Sequence, residues 1–194
     1  MSNVARNTAN ISVNIAPAKK TVQHHWEKHA HAVSLGNYIK ANRSTRYEWG
    51  KCDCALFAAD GIKAMTGVDI ADDFRNKYGD EANAYATIKS VTGAADPTVA
   101  DAAAHCAKKH GLKELPNPLF AQRGDLVVWA DPSGHLNAGL VAPNARHIVA
   151  IGEVGPRFIS ITAVKRAWRV TRKTSTDNIA ARWNSIRSKQ EGNV

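Results

Sequence analysis

Trp49-Gly50-Lys51-Cys52-Asp53-Cys54-Ala55-Leu56-Phe57 is where an irregular segment gives way to an apolar, helix-patterned run. The pattern predicts a helix from Cys54 to Met65, rich in Ala, Leu, Phe and Ile, with Thr66-Gly67 as its stop. Cys54 therefore opens a helix. Free amides and the positive end of the helix dipole lower a thiol's pKa and can also hold an oxyanion. On this reading Cys54 is the candidate nucleophile. Cys52 precedes the amides, and the competing role for any free cysteine is that of a small buried hydrophobe.

Working toward the N-terminus, Val22, Trp26, Ala30, Val33 and Ile39 recur at near-helical spacing between Thr21 and Ala41. Gly36 is expected to split this stretch into two short helices. Residues 1–20, rich in Asn, Ser, Thr and Ala, read as a flexible arm. Beyond the Cys54 helix, Val68–Tyr78 reads as a loop or short helix. Asp80–Val91 is an Ala-rich helix ending at Gly93, and a further helix runs from Asp96-Pro97 to Lys109, with Pro97 in its first turn.

After Leu115-Pro116-Asn117-Pro118 the period changes. Leu126–Ala130, Ala138–Ala142, His147–Ile151, Arg157–Ile161 and Ala167–Val170 are short apolar or β-branched runs, most of them separated by Pro, Gly or Asn turns. That spacing predicts an antiparallel sheet. Helices followed by strands make an α+β domain over residues 21–170. Residues 171–194 form a basic tail in which Thr176–Ser188 reads as a helix with Ile179, Trp183 and Ile186 on one face.

The formal charge is +9, and it is unevenly spread. Residues 1–50 carry seven Lys/Arg against two acids, and residues 163–194 carry eight against two, whereas 51–162 carry eleven against thirteen. A near-neutral middle argues against a nucleic-acid groove built into the fold; the basic ends suit an anionic polymer, nucleic acid or an acidic partner, or serve as solvated tails. No apolar run reaches the length of a membrane span. The first residues lack the apolar core of a signal peptide, so export is not expected. Three unevenly spaced cysteines make no disulfide framework and suit a reducing compartment.

A nucleophilic cysteine needs a base brought in by the fold. His135 and Asn137 lie two apart ahead of Ala138-Gly139, and His147 opens the next strand. A histidine with an orienting Asn completes a Cys–His–polar arrangement, and either histidine fits the role; a surface loop position is the competing role for His135. His24, His25, His29 and His31 cluster in sequence, but the zinc-protease spacing is absent because glutamate falls at Glu27. They read as a solvated helix face, not a metal site. Trp26, Trp49, Trp129 and Trp168 read as packing residues. No glycine-rich phosphate loop is present, and no cofactor is implied.

Tyr47-Glu48-Trp49-Gly50 leading into Asp53-Cys54, then Arg123-Gly124-Asp125-Leu126-Val127-Val128 and Asn137-Ala138-Gly139-Leu140-Val141, resembles the NlpC-type cell-wall cysteine peptidases. The resemblance spans about residues 45–170. It is closer to an uncharacterised branch found in phage and prophage tail-gene neighbourhoods, through Asp53–Asp60, Thr66–Asp69, Ala121–Asp125 and Ala167–Val170. It implies a papain-like fold and a peptidase or amidase acting on peptidoglycan stem peptides, with Cys54 attacking, His135 or His147 as base and Asn137 orienting it. It also implies a place in the virion or the bacterial host cytoplasm, with virion or tail proteins as partners. Two positions depart from the family pattern. Ala55-Leu56 replaces Ser-Gly after the nucleophile, and Asn137 occupies the strand position of the base. An amide cannot accept the thiol proton, so a catalytically silent structural module of a phage tail is the alternative expectation. An acyltransferase or deamidase on the same fold is a third.

Overall fold

The computed structural model describes residues 33–170. The arm, the histidine cluster, Trp26 and the basic tail lie outside the described residues. The chain forms α1 (33–41), α2 (Cys54–Thr66), α3 (Glu81–Thr92) and α4 (Val99–Lys109). The strands are β1 (Lys113–Glu114), β2 (Leu126–Ala130), β3 (Leu136–Val141), β4 (His147–Ile151), β5 (Pro156–Ser160) and β6 (Val164–Arg169), all antiparallel in the order β1-β6-β2-β3-β4-β5. The fold is α+β, as the element order predicts.

Local chemistry sets the helix ends. Asp53 caps α2, and Asp80 caps α3 through the Asn83 amide. Gly67 and Gly93 close these two helices in the left-handed conformation, which costs glycine nothing sterically. Helix α4 begins at Val99, two residues later than a first-turn Pro97 would place it. Thr98 and Asp101 form a capping box, so Pro97 precedes the cap instead of entering the first turn. Gly36 does not split α1, which runs unbroken through it. A single glycine costs about 1 kcal/mol in a helix, and Leu35, fully buried, together with the Tyr38 ring packed on Phe57 offsets it.

The sheet separates two apolar clusters. Leu126 and Val128 on β2 and Ala138 and Leu140 on β3 face the helices, whereas Val127, Trp129 and Val141 face the other way with Ile148 and Ala167. The alternation follows from the two-residue period of a strand. Leu115, Ala121, Ile161 and Ala163, from irregular segments and a short 3-10 turn, pack against the second cluster. Helix α2 lies close on β3 at Gly61, where a Cβ would collide with the Leu140 side chain.

β6 inserts between β1 and β2, so its C-terminal end must be tied to the start of β2. Asp125 does this. Its buried carboxylate accepts from the Val170 amide at 3.0 Å and the Gln122 amide at 2.8 Å, and pairs with Arg169 at 3.1 Å. Burial nevertheless raises its pKa against the pull of those partners. The Gly-Asp-Leu-Val segment thus carries a structural anchor. Asp125→Ala removes three interactions at once and is expected to destabilise the protein by about 2–4 kcal/mol in urea melts, with fraying at β6.

Candidate active site around Cys54

The site begins with a carboxylate. Asp53 is 1% exposed and fully bonded. One oxygen accepts from the Ala55 and Leu56 amides, both at 3.0 Å; the other accepts from the Gly50 amide at 3.0 Å and the Tyr78 hydroxyl at 2.8 Å. Gly50 has φ +73°, and a Cβ there would strike the Tyr78 carbonyl oxygen. The Trp49-Gly50 pair therefore has a tertiary reason. Only glycine lets the chain carrying Tyr78 pass this close.

This arrangement changes what Cys54 can do. Two of the helix amides expected to activate it are already occupied by Asp53. The half-buried thiol receives the amide of Ala138 on β3, with its own amide and that of Ala55 also contributing. These contacts favour thiolate, but burial outweighs them and the Asp53 charge adds to it, so the pKa is pushed up to about 11. The lowered pKa expected from helix position is thus reversed. Placement at the first turn is right, but desolvation and a capping carboxylate overcome the dipole. Cys52 is also raised by burial, and buried Cys106 is pushed up to about 12.

Cys54 opens onto a cavity of about 110 Å³ between α2, α3, α4 and the sheet. Its walls are mostly apolar, and seven of the lining residues are alanines. Small side chains facing one another across three helices leave space that larger ones would fill. An unfilled void of this size costs on the order of 2 kcal/mol. Tyr47, Trp49, Tyr78 and Tyr85 form the aromatic part of the wall, with Tyr47 packed edge-on to Trp49. The loop before α3 supplies Ile70, Ala71 and Phe74. Arg75 holds that loop between Asp60 and Asp69, and Asp72 and Asp73 bind Lys109 on α4.

The expected partners of Cys54 separate. His135 borders the same cavity, exposed, with Nε2 3.3 Å from the Tyr85 hydroxyl. Asn137 also borders it, yet its register partner is Trp129 of the second cluster, and residues directly opposite share a face. Its side-chain amide donates to the His135 carbonyl at 3.2 Å, not to an imidazole. His147 does not line the cavity. Its carbonyl accepts from Ala142, five residues along the chain from Asn137 or roughly 16 Å of strand, and its ring bonds Asn144 and packs on Phe158. Among the described residues no hydrogen bond joins the Cys54 thiol to an imidazole, and no cluster of three or more potential metal ligands occurs.

Tyr78 and Tyr85 belong to the site although no local signal marked them. They lie 24 and 31 residues beyond Cys54, on a loop and on α3. Trp129 and Trp168 are buried packing residues, as expected.

Removing the Asp53 charge removes one cause of the raised thiol pKa. Asp53→Asn is expected to lower the Cys54 pKa and speed its alkylation by iodoacetamide at least threefold at pH 8. It also costs about 1–3 kcal/mol, because the Asn nitrogen cannot accept from Tyr78 or an amide. A pH profile of the alkylation rate checks the first effect and a urea melt the second.

No curated protein matches the chain. Residues 23–170 match the family model described as a domain of unknown function, DUF6950. The match covers most of the chain, and the protein belongs to that family.

Proposed function

We propose that this protein is a papain-like module of a phage tail or virion in which the nucleophile position survives inside a binding cavity and does not turn over. The observation that carries this reading is the state of Cys54. Its thiol is held protonated near neutral pH, the Ala55 and Leu56 amides both bond Asp53, and Asn137 stands where the resembled peptidases place their base. Stem peptides of the cell wall carry several carboxylates, and among the described residues no lysine or arginine lines the cavity to receive them. Among the described residues no helix is long and apolar enough to cross a membrane.

A second reading, an active cysteine peptidase or amidase, is favoured by one observation. His135 borders the same cavity as Cys54, from an exposed position immediately before β3. Catalytic contacts are often loose before substrate binds.

Iodoacetamide labelling separates the two. The silent module should alkylate slowly at Cys54 at pH 7, no faster than at Cys52, with the rate rising tenfold per pH unit toward pH 11. Rapid labelling at pH 7 that His135→Ala slows, or release of stem peptides from peptidoglycan that Cys54→Ala abolishes, establishes the enzyme instead.

A further inference from the structure

The cavity has more definition than a packing defect. Its buried lining is apolar apart from Asp53, and the exposed His135, with Nε2 3.3 Å from the Tyr85 hydroxyl, marks its mouth. Among the described residues no lysine or arginine lines it, and the one carboxylate that does, Asp53, has every bond made within the fold. A charged group entering here would lose its water and gain no partner. A neutral apolar group meets aromatic and aliphatic carbon on all sides. The volume, about 110 Å³, sits just below that of an engineered apolar cavity of about 150 Å³ that takes benzene. One ring or one branched aliphatic chain fits.

The mouth also has a direction. β3 is paired with β2 along its whole length, but with β4 only at Leu140 and Val141. Among the described residues, Leu136, Asn137 and Ala138, which border the cavity, therefore have a ladder partner on one side alone; the Ala138 amide meets the Cys54 thiol, which leaves the Leu136 main chain and the Ala138 carbonyl on that side. A half-paired strand beside an apolar pocket is the arrangement by which extended peptides are read. Main-chain bonds hold the backbone, and the pocket selects a side chain.

We propose that the cavity beside Cys54 is a recognition subsite for one neutral apolar side chain, of leucine or phenylalanine size, in an extended peptide segment lying along Leu136–Ala138. The inference rests on the reading of this site as one that binds. Ala59, Ala102 and Ala103 make the depth of the subsite, and Tyr85 with His135 lies over its rim.

Titration of the ¹⁵N-labelled full chain with N-acetyl-phenylalaninamide, N-acetyl-leucinamide and N-acetyl-glutamate amide tests it. The first two should give saturable shifts centred on residues 54, 85, 103 and 136–138, with the glutamate compound at least tenfold weaker. Ala103→Phe, which fills the depth, should abolish the shifts. Ala59→Leu serves as a second filling variant, and either is scored only if its spectrum stays dispersed. Equal binding of the glutamate compound, saturable binding of toluene with none of the amides, or undiminished binding by a folded filled variant overturns the proposal. So does the absence of any saturable shift. The same samples show whether the amides are hydrolysed. Binding with Cys54-dependent cleavage would remove the silent reading and leave the subsite standing, while slow alkylation without binding would remove the subsite alone.

Discussion

The buried carboxylate of Asp53 is the constraint on which the rest of the site depends. A buried acceptor left unbonded costs more than a made bond returns, so its four donors must arrive together: Gly50, Ala55, Leu56 and Tyr78. Three are local to the start of α2. The fourth comes from the loop before α3, and bringing it in fixes that loop against the cavity wall. Gly50 follows as a necessity, since any side chain there would meet the backbone of Tyr78. Arg75, between Asp60 and Asp69, and Lys109, against Asp72 and Asp73, hold the remainder of the loop in register with α2 and α4.

The same constraint sets the chemistry. A helix N-terminus offers a small stock of unpaired amides and a modest positive potential. Here the capping carboxylate takes two of those amides and places a negative charge next to the thiol. Position on a helix is therefore not enough to activate a cysteine, because the nearest anion and the depth of burial decide the balance. Apart from that carboxylate, what surrounds Cys54 is mostly apolar, better suited to enclosing a side chain than to stabilising a further negative charge in a transition state.

Much of the fold was legible because its signals are short-range. Asp80 and Gly93 bracket α3, Gly67 closes α2, and the continuous apolar runs of Leu126–Ala130 and His147–Ile151 mark strands that bury both faces. The misreadings have tertiary causes. Gly36 stays within a helix because Leu35 and Tyr38 are packed on either side of it, and Pro97 yields the start of α4 to the Thr98–Asp101 capping box. β1 is two residues long and exposed, with no apolar pattern to announce it, and it exists only because β6 offers an edge. The insertion of β6 between β1 and β2 leaves no trace in spacing.

By itself the sequence determined the element types, the α+β order and the position of Cys54 at the first turn of a helix. Caps, periods and turns act over a few residues, so these features are written locally. Only the tertiary structure decided which side chains meet that cysteine. It brought Tyr78, Tyr85 and His135 to the cavity, sent His147 to the far end of β3, and turned Asn137 toward the face of Trp129. It also reversed the expected ionisation of the thiol. Burial and the company of a capped carboxylate belong to the assembled fold, and no stretch of nine residues contains them.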